Sequence, residues 1–471
     1  MKTALRLRSF GQVSILPLCL VLTIALTGVV SAQDGDGDGD FIAIGQPIAG
    51  IDVDAGGVLK IKQFDPRLAK QRFKAARAAA AGGQDIMQPS ELRKVSLRKL
   101  EAAIADRLAA GESVDADMFA MAGLTTIEYV FYYPESNDIV VAGPAEGYFA
   151  DPTDRYIGIE TGKPTLLLED VVTAMRAFQP GARNGGQVIS VSIDPTPEGL
   201  QALQRFLAYA SRNAGRGDAS RIANGIKQNL GLQTVTFKGI PDTTHFARVL
   251  VEADYRMKLV GIGLERLPVR MMSYVERANP KTIAANALER WYFQPNYDGI
   301  AVSEDGHAMR IKERGVQLVG ANERVVGGQR QRSGRGNRAS QAFCQDFTEK
   351  FNDIAARVRV YAELRQLIDV AIAAAYIQDQ DFYTQAGWQA RTLMDESQVQ
   401  VETHHAPEQV ETAVNAIWKG NTLMTPLGGG VQMQPRLALQ KDRLDIDQTG
   451  QTSDVMVRAS NGLDSDQWWW D

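Results

Sequence analysis

Apolar and polar residues follow two patterns along the chain, and each pattern predicts a different kind of element. Apolar residues that recur every three or four positions predict helices, whereas apolar runs and strict alternation predict strands. The predicted helices before residue 290 are 66–81, 91–110, 168–178, 197–211, 220–230 and 243–257. The predicted strands are 127–133, 138–142, 187–193, 233–238, 291–294, 299–303, 307–312 and 316–319, after a hairpin at 41–62. This order predicts an α+β fold with a mixed sheet, interleaved helices and a β region of short strands.

The last part of the chain predicts a C-terminal helical region. Apolar residues between Phe343 and Ala371 fall on one helix face, and a final helix is expected at 407–418. Polar residues dominate after about residue 441, which predicts disorder up to Trp468–Trp470. The expected segments are a signal peptide at 1–32, an acidic disordered spacer at 33–45, a mixed α/β domain at 46–326, an Arg/Gly linker at 327–339, a helical domain at 340–440 and a disordered tail at 441–471.

The first 32 residues have the composition of a secretory signal peptide. Three basic residues and no acid precede an apolar run from Val13 to Val30, and the small residues Ser31 and Ala32 follow it. This pattern predicts export to the periplasm or the extracellular space, with cleavage after Ala32. An uncleaved anchor is the alternative, because the run approaches the roughly 20 residues that span a bilayer. No later segment predicts a stable span.

Charge and cysteine content narrow the functional classes. The chain has 51 basic and 56 acidic residues, and loss of the three signal-peptide bases makes the balance more acidic. An acidic protein is not expected to bind nucleic acid. Cys344 is the only cysteine after the signal peptide, so no internal disulfide forms and the core supplies the stability.

Motifs for catalysis are incomplete throughout the chain. Neither a GxSxG elbow nor an HExxH zinc helix occurs. Ser96–Lys99 fits SxxK without its partner motifs, and Gly334–Ala339 fits GxGxxA without a preceding strand. We therefore predict no catalytic residue and no cofactor, and an enzyme is the less favoured interpretation.

Two segments resemble metal sites. Asp34–Asp40 alternates like a calcium loop, but its twelfth position is Gly45 where that loop needs a bidentate glutamate. His404 and His405 lie near several glutamates, and histidine and glutamate side chains can bind zinc. The side chains of two neighbouring residues point apart, however, so the two histidines are poorly placed to share one ion. We predict no metal at either place.

Four residues are candidate ligands. Asp194 lies between a predicted strand and a predicted helix, where mixed sheets often present acids to ligands, although turn formation explains it as well. Asp254, Arg256 and Lys258 lie on a predicted helix on which Glu252 faces Arg256 and Asp254 faces Lys258. These (i, i+4) ion pairs account for the charges, and an anionic ligand at Arg256 and Lys258 is the alternative.

Four segments resemble a family of exported proteins of unknown function found chiefly in planctomycete bacteria. They are GLTTIEYVFYYPESNDIVVAGPAEG at 123–147, SIDPTPEGLQ at 192–201, ADYRMK at 253–258 and PLGGGVQMQP at 426–435. The resemblance covers about residues 45–440. It implies a bacterial envelope protein and no particular activity.

The sequence thus favours a non-catalytic envelope protein that binds or scaffolds an envelope component. One alternative is a hydrolase of envelope polymers with a carboxylate-based site. The other is a peripheral protein that binds anionic envelope surfaces through the basic helix 67–77 and the Arg-rich linker. Neither the partner nor the oligomeric state follows from the sequence.

Overall fold

A computed structural model provides the fold. It describes residues 48–63, 66–80, 85–181, 188–213, 216–279, 290–295, 299–312, 315–320, 323–326, 329–332, 338–415, 417–419, 422–424 and 430–471. The predicted signal peptide at 1–32 and acidic spacer at 33–45 lie outside these residues, as does part of the linker at 327–339.

The helices and strands follow the predicted interleaved order. The α-helices of the described residues are α1 (Pro66–Ala80), α2 (Leu97–Ala109), α3 (Ala116–Phe119), α4 (Leu168–Ala177), α5 (Pro197–Asn213), α6 (Ala219–Leu230), α7 (His245–Gly261), α8 (Tyr274–Arg277), α9 (Arg338–Glu349), α10 (Phe351–Ala355), α11 (Arg359–Asp379), α12 (Phe382–Gln385), α13 (Arg391–Met394), α14 (Pro435–Ala438) and α15 (Gln451–Ala459). The strands are β1 (Ile48–Val53), β2 (Val58–Gln63), β3 (Ser90–Ser96), β4 (Tyr129–Tyr133), β5 (Asp138–Ala145), β6 (Tyr148–Ala150), β7 (Tyr156–Gly158), β8 (Ile189–Pro195), β9 (Leu232–Lys238), β10 (Trp291–Pro295), β11 (Ile300–Val302), β12 (Ala308–Ile311), β13 (Val316–Gly320), β14 (Glu323–Val326), β15 (Gln329–Arg332), β16 (Gln409–Glu411), β17 (Ile417–Lys419), β18 (Thr422–Met424), β19 (Gly430–Met433), β20 (Leu444–Ile446) and β21 (Trp469–Trp470).

Two mixed sheets organise these strands, which confirms the α+β class. The eight-stranded sheet has the order β1-β2-β16-β9-β8-β19-β10-β13, with parallel pairs at β2/β16 and β10/β19. The seven-stranded sheet has the order β20-β11-β12-β4-β5-β3-β21, and only its β11/β20 pair is parallel. The hairpins β6–β7, β14–β15 and β17–β18 stand apart from both sheets.

Helices α7 and α11 lie at the centre of one hydrophobic core. Helix α11 is buried along almost its whole length and packs against α4 and α7, and most of its residues from Val360 to Ile377 are apolar. The core extends from Ile51 to Leu439, and Cys344 is fully buried in it. Residues of both the predicted mixed domain at 46–326 and the predicted helical domain at 340–440 contribute to this core. The apolar surface of α11 is covered only when both segments pack together.

Strands occupy part of two segments for which the sequence predicts helices. The first residues of the predicted helix 91–110 form β3, and α2 begins after Ser96, whose side chain caps it by accepting a hydrogen bond from the Lys99 amide at 3.0 Å. The predicted helix 407–418 is wrong as well, because β16 pairs there with β2 and β9, and β17 pairs with β18. At β3 and β16 pairing with distant strands overrides the local helical pattern, whereas β17 forms a hairpin with the next strand.

The predicted disordered tail at 441–471 is also wrong. Strands β20 and β21 form opposite edges of the seven-stranded sheet, and α15 packs on β12 between them. The Trp470 indole donates a hydrogen bond to the Ala459 carbonyl at 2.9 Å and is 6% exposed. Ala459, Leu463 and Trp470 form a second apolar cluster with residues of the sheet face. The sheet residues are Tyr129, Phe131, Tyr133, Val140, Ala142 and Ala308. The few apolar residues of a polar segment thus cover an aromatic sheet face.

Among the described residues, no helix combines the length and the apolar character that crossing a bilayer requires.

Candidate functional site

Helix α7 carries an unusual number of charged residues for a buried helix. It begins after Thr244, whose side chain accepts a hydrogen bond from the Ala247 amide at 3.2 Å. The helical repeat divides its charges between two faces. One face carries His245, Arg248, Glu252 and Arg256, and the opposite face carries Asp254 and Lys258.

An ion-pair network, here called the Arg155 network, occupies the first face. It contains Arg155, Glu252, Arg256, Glu265 and Glu363. Arg155 lies between two acids: its Nη2 is 2.7 Å from Oε2 of Glu252, and its Nε is 2.7 Å from Oε1 of Glu363. Arg256 continues the network, with Nη1 at 3.2 Å from Oε1 of Glu252 and Nη2 at 2.7 Å from Oε1 of Glu265. Buried charges are tolerated only when they are paired in this way.

Strand β1 closes over the network at a glycine. A Cβ atom on Gly50 would lie 2.8 Å from Nη1 of Arg155, and the φ angle of Gly50 is +151°. Both the space and the backbone angle therefore favour glycine at this position.

The pKa values within the network reflect burial and pairing. Burial raises the pKa of Glu252, but the guanidinium groups of Arg155 and Arg256 outweigh burial and hold it below its ordinary value. Burial also dominates at Glu265, whose pKa is raised although Arg256 partly offsets the effect. The pKa of each acid in the network therefore depends on the neighbouring arginines.

A second cluster, here called the two-histidine site, lies where α4 and α7 begin. It contains Glu169, Asp170, His245, Arg248 and His404. Nδ1 of His245 is 2.9 Å from Oδ2 of Asp170, and Nε2 of His404 is 3.3 Å from Oε2 of Glu169. The two imidazole rings are 5.9 Å apart between centroids.

His404 lies between Arg248 and Glu169. Nη1 of Arg248 donates to Nδ1 of His404 at 3.1 Å, because a guanidinium cannot accept. Nε2 of His404 lies 3.3 Å from Oε2 of Glu169. These two contacts orient the imidazole ring between α7 and α4.

His245 pairs with the second acid of the site, Asp170. Burial disfavours its charged form, but the charge and hydrogen bond of Asp170, with help from Glu169 and Glu363, outweigh burial and raise the pKa of His245 to about 9. The side chain is 18% exposed, and the described residues offer no hydrogen-bond partner to its Nε2. Asp170 thus orients the ring of His245 and favours its protonated form.

The predicted ligand residues separate into two places. Arg256 belongs to the Arg155 network, whereas Lys258 lies on the other face of α7 with Nζ 3.4 Å from Oδ2 of Asp254. Asp194 pairs with Arg290, and its charge acts on Lys258, whose pKa burial lowers. The structure therefore brings Asp194, Asp254 and Lys258 together and leaves Arg256 apart.

Sequence comparison matches a stretch of the chain that includes α7. Residues 191–274 are similar to a family described as protein of unknown function (DUF1598). This DUF1598 segment supplies the charges of α7 and Glu265, whereas Arg155, Glu169, Asp170, Glu363 and His404 come from outside it. The comparisons with curated proteins and with solved structures give no match.

The described residues contain no cluster of three or more His, Cys, Asp or Glu side chains with the geometry to hold a metal ion. Glu411 follows His404 and His405 closely in the sequence, and its carboxylate forms two ion pairs. It lies 2.7 Å from Nζ of Lys60 and 2.9 Å from Nζ of Lys227.

Most of these residues escape detection in the sequence. Arg155 lies in a turn-rich segment without a motif, and no spacing relates it to Glu252 or Glu363. A usable signal was the presence of acids inside apolar helical patterns, such as Glu363 in α11 and Glu169 and Asp170 at the start of α4. Buried acids require partners, so such acids indicate distant basic residues.

Proposed function

We propose that this protein is an exported bacterial envelope protein that binds or scaffolds another envelope component and does not catalyse a reaction. The observation that supports this most is the mutual neutralisation of the charges on α7. Arg256 contacts Glu252 and Glu265, and Lys258 contacts Asp254. Because an anionic ligand requires cations that are not already neutralised, these pairs favour a structural role for α7.

The exported location rests on residues 1–32 and on the resemblance of four segments to exported planctomycete proteins. We infer that the signal peptide is cleaved after Ala32 and that the protein works in the periplasm or outside the cell. Retention of Val13–Val30 as an anchor is the competing arrangement.

Expression of the full chain in a bacterium tests this proposal, with the N-terminus of the exported protein determined by mass spectrometry. We expect a chain that begins at Gln33. A chain that keeps residues 1–32 in the membrane fraction supports the anchor, and a protein that stays in the cytoplasm overturns export.

A hydrolase is the second candidate function, and one observation favours it. Asp170 orients His245 and favours its protonated form, and Nε2 of His245 has no hydrogen-bond partner among the described residues, which is an arrangement that suits a general acid. Purified protein without residues 1–32 can be assayed on peptidoglycan, ester and phosphoester substrates. We expect no turnover. Turnover that is lost in His245→Gln and kept in His307→Gln would establish the hydrolase and refute the non-catalytic role.

A further inference from the structure

Helix α1 concentrates positive charge on the surface of an acidic protein. Its 15 residues contain five basic side chains and no acidic one. Lys70, Arg72 and Lys74 are exposed and have no ion-pair partner among the described residues. This distinguishes them from Arg256 and Lys258 of α7, which are paired with acids.

The attachment of α1 leaves most of its surface open. Phe73 packs edge-to-face on Phe149 with 5.8 Å between ring centroids. Nη2 of Arg77 is 2.8 Å from Oε2 of Glu160. Both contacts lie on one side of the helix, so the opposite side faces solvent.

The open side combines an apolar strip with flanking cations. At about 100° per residue, Leu68 and Ala75 lie opposite Phe73, with Lys74 on one flank and Arg72 on the other. Leu68 is 44% exposed, so the open side presents a large apolar side chain to solvent. A basic helix with a solvent-facing leucine has the features of helices that lie in the membrane interface.

We propose that α1 is a docking surface for an anionic lipid membrane. The basic side chains bind the lipid phosphates while their stems lie along the surface, and Leu68 enters the boundary between headgroups and acyl chains. A polyanion such as a wall polymer would use the charges alone, whereas a lipid surface uses both the charges and the leucine. The proposal deepens the proposed envelope function and relies on it only to bring the protein to a membrane.

Vesicle co-sedimentation tests this with residues 33–471, so that the apolar run 13–30 makes no contribution. We expect binding to phosphatidylcholine vesicles that contain phosphatidylglycerol and none to pure phosphatidylcholine vesicles. Binding is expected to disappear in about 1 M salt, where the Debye length is about 3 Å. Equal binding to both vesicle types overturns the proposal.

Matched variants identify the surface. The double variant Arg72→Gln, Lys74→Gln is expected to bind anionic vesicles at least about tenfold more weakly, since each basic residue near such a surface contributes about fivefold. The control Lys238→Gln, Arg458→Gln removes the same charges from exposed positions elsewhere and is expected to bind like the wild type. Equal losses in both variants refute α1 as the docking surface. Thermal unfolding checks that both variants are folded.

Leu68→Gln separates a membrane from a soluble polyanion. We expect this variant to bind anionic vesicles several-fold more weakly and to bind inorganic polyphosphate like the wild type. An unchanged affinity for vesicles shows that only charge acts and overturns the lipid assignment. These outcomes are independent of export, because the vesicle assay does not depend on where the exported chain begins.

Discussion

Arg93 and Asp471 form a bidentate ion pair across 378 positions of the chain. Nε of Arg93 is 2.9 Å from Oδ1 of Asp471, and Nη2 of Arg93 is 2.8 Å from Oδ2. The Arg93 side chain is fully buried, and Asp471 is its carboxylate partner. The pair fastens β21 to the edge of the seven-stranded sheet.

Loss of this carboxylate leaves a buried guanidinium without its counter-charge. We expect Asp471→Asn to lower the free energy of unfolding by about 1 kcal/mol, a modest value because Asp471 is 42% exposed. Urea denaturation measures the change. Asp466→Asn removes an exposed carboxylate from the same segment and is expected to have no measurable effect. Equal stability of the two variants would show that the ion pair contributes nothing.

Trp470 is expected to hold the residues after 441 on the aromatic sheet face. Trp470→Ala removes a large buried side chain and should destabilise the protein by about 3 kcal/mol. It should also expose Phe131 and Tyr133, which binding of a fluorescent apolar dye would detect. Trp468→Ala, at a half-buried position, should have a smaller effect on both measurements. Dye binding at the wild-type level in Trp470→Ala contradicts this role.

Arg155 is expected to be essential for the stability of α7 and α11. Arg155→Met leaves Glu252 and Glu363 buried without their shared partner and should cost about 3 to 5 kcal/mol at neutral pH. Burial would then raise the pKa of Glu252 above its ordinary value. A raised carboxyl pKa disfavours the folded state as pH rises, so the deficit should shrink on acidification from pH about 7 to about 5. Denaturation of the variant, the wild type and the control Arg458→Met over this range measures the effect, and a deficit that grows on acidification contradicts it.

The raised pKa of His245 predicts a loss of stability in mild alkali. The pKa in the folded protein is about 9, above the ordinary value of 6.5. A group with a raised pKa contributes stability below its unfolded pKa and loses it as pH rises through the folded pKa. We expect the wild type to lose about 2 kcal/mol relative to His245→Gln between pH about 6.5 and about 9. His307→Gln should lose stability in parallel with the wild type. A constant difference between the wild type and His245→Gln would contradict the ion pair.

Local patterns predict those elements whose formation depends on nearby residues. Helix α7 and strand β8 lie within a few residues of their predicted bounds, and both predicted ion pairs of α7 form, because (i, i+4) neighbours on a helix are always close. The same reasoning fails at β16, where strand partners from distant parts of the chain decide the backbone conformation.

The sequence by itself determined the α+β class, the order of most helices and strands, and the internal pairing of the charges on α7. Only the tertiary structure decided that Arg155 joins Glu252 to Glu363, that Asp170 orients His245, and that Trp470 covers an aromatic sheet face. The physical reason is the range of the interactions. Helical periodicity is set by the next turn of the same chain, whereas the partner of a buried charge or a sheet edge is chosen by packing among distant segments.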